Sequence, residues 1–119
     1  MSVADDLFAA IEKGDTDAVR GIYAADALIW HNTDGVEQSV EENLRVLGWM
    51  ASTFAEKRYE DVRRQEWETG FVQQHVLHLR RADGTAISLP ACIVATVADG
   101  RITRIDEYLD SAHVARITG

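Results

Sequence analysis

Apolar residues recur at helical spacing through the first half of the chain and at every other position through the second. Val3, Leu7, Phe8 and Ile11 fall on one helical face, and Ser2-x-x-Asp5 sets a capping box in front of them. Lys13-Gly14 ends that helix, the glycine supplying a left-handed residue. Asp15 caps a second short helix that turns Val19, Ile22 and Tyr23 inward. Ala27 to His31 reads as a short strand, apolar on both parities and therefore expected to be covered on both faces. A turn over Asn32-Thr33-Asp34-Gly35 follows. Ser39-x-x-Glu42 is a second capping box and opens the longest helix, where Val40, Leu44, Leu47, Ala51 and Phe54 alternate steps of four and three.

From residue 57 the period becomes two. A charged run to Glu68, then Phe71 to Arg80, Thr85 to Val97 and Arg101 to Asp110 are separated by Thr69-Gly70, Asp83-Gly84 and Asp99-Gly100. Turns between successive alternating runs predict an antiparallel meander. Strands of this length must twist and curve. Pro90 cannot donate to a ladder and is expected to mark a bulge or bend. A short tail helix closes the chain near 111–117. Helices segregated on one face of a bent antiparallel sheet make an α+β domain spanning 1–119, and a sheet curled around a long helix leaves a cone whose mouth suits a small molecule.

The last strand carries the oddity. Thr103, Ile105, Glu107 and Leu109 share one parity, and Ile102, Arg104, Asp106, Tyr108 and Asp110 the other. Glu107 stands between two aliphatic residues on the face expected to be covered. A carboxylate there must be paired, protonated or useful. Desolvation would raise its pKa toward the range a proton shuttle needs. The alternative is a structural ion pair with an arginine or histidine of a neighbouring strand.

Composition narrows the field. The net charge of −8 argues against a nucleic-acid partner. No apolar run approaches a membrane span, and the acidic N-terminus lacks the pattern of a signal peptide, so a soluble cytoplasmic protein is expected. The single cysteine, Cys92, excludes an internal disulfide and reads as a buried thiol in the run Ala91-Cys92-Ile93-Val94. His75 and His78, three apart in a strand, project from opposite faces and cannot share one ion. No metal and no cofactor are expected, although His31, His78 and Glu107 could imitate a two-histidine, one-carboxylate set. His113 is expected to face solvent.

Gly14-Asp15 between two short helices, Tyr23-Ala24-Ala25-Asp26-Ala27, and the Asp99-Gly100-Arg101-Ile102 to Glu107-Tyr108-Leu109-Asp110 ending resemble the nuclear transport factor 2-like superfamily. Within it the chain resembles the SnoaL-like branch, whose relatives include polyketide cyclases, ketosteroid isomerases and limonene-epoxide hydrolases. The resemblance covers the whole chain and implies the cone-shaped, cystatin-like fold. It implies the reaction far less, because this fold hosts enzymes and non-catalytic proteins alike. The positions that serve ketosteroid isomerases hold His31, Cys92 and Leu7, all changed. Those that serve epoxide hydrolases hold Glu107, which keeps its acidity, with His31, Val76 and His78 replacing the other groups.

The reading that combines residues and resemblance is acid/base chemistry of isomerase, cyclase or lyase type on an apolar carbonyl, hydroxyl or epoxide compound. Glu107 moves the proton and His31 partners it. His78, Cys92, Ile29, Val76, Trp49 and Phe54 are the expected ligand contacts. The alternatives are a ligand-binding or accessory protein without turnover, and an epoxide hydrolase. Tyr108 and Trp67 are expected on a sheet face that pairs two copies into a homodimer.

Overall fold

The computed structural model describes residues 2–118; Met1 and Gly119, the ends of the expected domain, lie outside them. Both capping boxes form. Ser2 and Asp5 exchange backbone–side-chain hydrogen bonds at the start of α1 (Val3–Lys13), as do Ser39 and Glu42 at the start of α3 (Val40–Thr53). Gly14, at φ +71°, closes α1 and leads into α2 (Thr16–Ile22). The strands are β1 (Tyr23–His31), β2 (Glu37–Gln38), β3 (Phe54–Trp67), β4 (Gly70–Arg81), β5 (Ala86–Ala98) and β6 (Arg101–Leu109), followed by α4 (Ser111–Thr118). The short β2 has no periodic signal and was not foreseen.

These strands form one curved sheet in the order β2-β1-β6-β5-β4-β3. The expected meander is there: β3, β4, β5 and β6 pair antiparallel in succession. What the meander does not imply is the parallel pairing of β1 with β6. The long α3 connection lets the first strand return beside the last. The helices cover one face only. Leu7 and Phe8 of α1, Val19 of α2 and Leu44 of α3 pack against Ile29, Phe71, Ile93 and Ile105 at the closed end. A second cluster, Phe54, Leu77, Leu79, Ile87 and Leu89, lies toward the mouth. Among the described residues no helix is long and apolar enough to cross a membrane.

Three details differ from the periodicity. β1 is covered on one face only; Ala27 and Ile29 are buried while Leu28 is exposed on the outer side. Pro90 breaks nothing, because it pairs in register with Val76 and β6 has already ended opposite Ala91. With no β6 neighbour there, a missing N–H costs little on that side. The irregularities fall elsewhere. Asp61 and Val62 together oppose His75, with Asp61 at φ +54°, and Thr103 is an extra residue in β6 opposite the Thr96–Val97 step. An extra residue flips the parity of everything beyond it. That is why Ile102 and Ile105 are both buried, and why Tyr59 and Arg64 of β3 both reach the inner face.

Candidate active site

His31 is the last residue of β1, and Glu107 stands two residues before the end of β6. The parallel register makes them direct neighbours. His31 Nε2 donates to Glu107 Oε1 at 3.0 Å, and each side chain is 21% exposed. The strand ends are stitched around them. Asn32 N donates to the Glu107 carbonyl at 3.0 Å, and Leu109 N donates to Asn32 Oδ1 at 2.9 Å. Gly35 N donates to the His31 carbonyl at 2.9 Å, closing the turn that brings Asp34 near the imidazole.

Burial is the largest single influence on His31 and works against its charged form. The hydrogen bond to Glu107, that carboxylate's charge and the charge of Asp34 together outweigh it, so His31 titrates above its ordinary value. The carboxylate is felt further in. Burial first, and the Glu107 charge second, push the phenols of Tyr23 and Tyr59 well above their usual range. Tyr23 donates to Asn43 Oδ1 at 2.8 Å, and Asn43 in turn donates to Gln38 Oε1 at 3.1 Å.

The pair opens on a cavity of about 190 Å³ at the mouth of the cone. Leu77, Leu89, Ala91 and Leu109 line it from the sheet, Val46 and Met50 from α3, and Val114 and Ile117 from α4. Its polar rim is Thr33, Asp34 and Gln38. A larger and shallower depression of about 740 Å³ lies on the opposite face of the sheet, around Val62, Val76, Pro90, Cys92 and Tyr108. It touches neither His31 nor Glu107. The cavity at the mouth, the more enclosed of the two, is therefore the better candidate, since binding needs surface taken from water next to reactive groups.

A family model, the SnoaL-like domain, matches residues 4–105. The chain belongs to the SnoaL-like family. Solved structures agree on the fold. A protein of Xanthomonas campestris pv. campestris described as a proposed polyketide cyclase is 21% identical with TM-score 0.81, over 97% of this chain and 93% of that one. An NTF2-like protein of unknown function from Burkholderia pseudomallei is 17% identical with TM-score 0.80, over 97% and 93%. IdmH of Streptomyces antibioticus, also described as a proposed polyketide cyclase, is 18% identical with TM-score 0.78, over 98% and 96%. A comparison with curated proteins finds no match.

Against this SnoaL-like frame the expected site residues separate. His31 and Glu107 come together. The awkward acid of β6 thus has a partner, and the partner is the histidine expected beside it. His78, Val76 and Cys92 do not reach the cavity. Phe71, Gln73, His75, Leu77 and Leu79 are the buried parity of β4, so Val76 and His78 point outward. His78 there faces Glu60 at 3.2 Å and Ser88 at 2.8 Å. Cys92, opposite Gln74, is half-buried on the outer side rather than a core thiol. Ile29 is buried in the closed-end core, and Phe54 in the second cluster with Trp49 edge-on at 6.0 Å. None of the three lines the cavity. His113 is half-buried, with Nδ1 shut off from solvent. A shared His31, His78 and Glu107 metal set is ruled out by the opposite faces of the sheet, and among the described residues no His, Cys, Asp and Glu cluster suits a metal ion.

Sequence reasoning missed Gln73 and His75, which stand on the inner face. The signal was present: Phe71, Leu77 and Leu79 share their parity, and three large apolar residues outweigh Val72 and Val76.

Proposed function

We propose that this SnoaL-like protein carries out acid/base chemistry of isomerase, cyclase or lyase type on an apolar small molecule bearing a carbonyl, hydroxyl or epoxide. The observation that carries the reading is the His31–Glu107 pair, half-sheltered at 3.0 Å on the wall of a mostly apolar cavity. Glu107 takes a proton from the carbon beside the carbonyl while His31, in its protonated form, keeps Nε2–H on the carboxylate and gives its Nδ1 proton to the developing oxyanion. Return of both protons leaves the pair as it began. A sheltered site strengthens each step, because few waters compete for the charges.

Size constrains the substrate. A cavity of about 190 Å³ is smaller than the ~300–1,000 Å³ usual for drug-sized ligands. It suits a compound of one or two rings. A multi-ring polyketide, the ligand class suggested by the descriptions of similar structures, would require α4 to move outward. The exposed Leu28, Val62, Trp67 and Tyr108 support a second copy as partner, paired through the outer face.

Native mass spectrometry of the purified protein identifies a co-purifying compound, and Glu107→Gln is then assayed on it. The variant is expected to keep affinity and to lose turnover by about 10²–10⁴-fold. Full activity in Glu107→Gln overturns the assignment. Binding with no turnover in the wild type supports the ligand-binding or accessory protein instead.

A further inference from the structure

Tyr23, Asn43 and Gln38 form a chain of hydrogen bonds that begins in the closed-end core and ends at the cavity. Tyr23 and Asn43 are 3% and 4% exposed, while Gln38 lines the cavity together with His31 and Glu107. Strand pairing fixes the side on which Gln38 stands. It lies directly opposite Ile29 of β1, and cross-strand partners project to the same face. Ile29 is buried on the inner face, and His31, two residues on, shares its parity. Gln38 and His31 are thus diagonal neighbours, about 7–8 Å apart, on the wall that also holds Glu107.

The chain of bonds has one polarity. Burial first, and the Glu107 charge second, keep the Tyr23 phenol protonated. That phenol has a single proton, and its side-chain partner is Asn43 at 2.8 Å. With the Asn43 amide reversed, the phenol would accept from nitrogen and its own proton would be buried without a partner, an arrangement native proteins avoid. Asn43 therefore turns Oδ1 to Tyr23 and Nδ2 to Gln38, whose Oε1 accepts at 3.1 Å. The Gln38 amide is set in turn, with oxygen toward Asn43 and nitrogen left for other partners.

That nitrogen carries two protons and has no hydrogen-bond partner among the described residues. It is also open. Among the described residues, the unpartnered polar side-chain atoms shut off from solvent are His75 Nε2 and His113 Nδ1, and Gln38 Nε2 is not one of them. A preset donor on the cavity wall, beside the His31–Glu107 pair, calls for an acceptor on the bound molecule.

We propose that Gln38 Nε2–H is a substrate-binding donor, taking the same oxygen as His31 Nδ1–H, and that this oxygen is a ketone carbonyl. A carbonyl oxygen has two lone pairs, one for each donor. Both bonds strengthen as the oxygen gains charge when Glu107 removes the neighbouring proton. Neither donor accepts in return, so the proton of a hydroxyl finds no partner on them. No proton leaves Gln38, and Tyr23 and Asn43 are positioning residues. This rests on the reading that His31 and Glu107 act on a molecule in the cavity.

The test compares acetophenone, labelled with ¹³C at the carbonyl, with its carbonyl-free counterpart ethylbenzene on the full chain at pH 6, where His31 is protonated. In wild type, acetophenone is expected to bind about tenfold more tightly than ethylbenzene. Its carbonyl resonance should move downfield on binding, as donors draw electrons toward the oxygen. Gln38→Met keeps the length of the side chain without the donor; it should cut the affinity ratio about threefold and return the resonance toward its free position. Tyr23→Phe, which keeps a ring in the core, frees both amides to turn over and should give part of the same return with ethylbenzene affinity unchanged. A merely structural Gln38 would change both affinities alike and leave the resonance in place. If both probes bind with a wild-type ratio near one, or Gln38→Met alters neither ratio nor resonance, the donor role is wrong while the cavity stands. A Tyr23→Phe resonance identical to wild type removes the positioning role. If neither probe binds, the cavity reading fails and the donor role with it.

Discussion

Replacing Glu107 with glutamine removes the charge that favours the protonated form of His31. At 3.0 Å, with an effective dielectric constant near 20, the gross attraction in the pair is about 5 kcal/mol. Burial of the imidazolium cancels much of this, leaving a net contribution of about 1.5–3 kcal/mol, typical of a hydrogen bond to a charged group. In the wild type His31 titrates above its ordinary value of about 6.5. Below about pH 6.5 both folded and unfolded chains hold the proton, and the stabilisation is fully present. It is lost as pH rises through the folded pKa, down to the weaker bond from a neutral imidazole. In Glu107→Gln burial remains and only the charge of Asp34 opposes it, so the pKa of His31 should fall below its ordinary value. The assay is an NMR titration of the His31 ring from pH 5.5 to 9 in both proteins, with urea unfolding at each end. The stability gap between them should be larger at pH 5.5 than at pH 9. Equal His31 pKa values, or a gap that widens with rising pH, would refute the reasoning.

Other perturbations probe the cavity, the packing and the outer face. Ala91→Trp puts an indole into the cavity beside Glu107 and should reduce the affinity of the co-purifying compound at least about tenfold, measured by calorimetry; unchanged affinity places the ligand elsewhere. A Cβ at Gly70 would collide with the Ala95 carbonyl oxygen, which is backbone and cannot yield, so Gly70→Ala should cost about 1–3 kcal/mol in urea unfolding. Gly48→Ala, with nothing near the added Cβ inside α3, should instead stabilise by about 0.5–1 kcal/mol. Tyr108 is 47% exposed beside Trp30 on the outer face; if two copies pair through that face as proposed, the wild type sediments as a dimer and Tyr108→Glu as a monomer, and a monomeric wild type or an unchanged coefficient removes that face as the interface.

Local signals carried a large part of the fold. Ser2 and Ser39 start their helices because a hydroxyl and an acid three residues on satisfy each other's backbone groups, a purely local exchange. Asp99-Gly100 makes its turn because both residues adopt positive φ, at +53° and +75°. The grouping of Glu107 with Ile105 and Leu109 needed only the strand's period of two. The resemblance in the Glu107-Tyr108-Leu109-Asp110 ending led to the right family.

Three things waited for the tertiary structure. The first is the neighbour of Glu107. His31 lies 76 positions earlier, and the parallel pairing of β1 with β6 depends on α3 carrying the chain across the sheet, which no periodicity encodes. The second is which parity of β4 faces inward. Val72 and Val76 compete with Phe71, Leu77 and Leu79, and only packing against α1 and β3 settles it, sending His78 outward and Gln73 and His75 in. The third is the pair of bulges at Asp61 and Thr103. A single extra residue reverses every side chain beyond it at small local cost, so period-two reading fails past that point. The acid was legible along the chain; its partner and its depth were decided by strand pairing between distant segments.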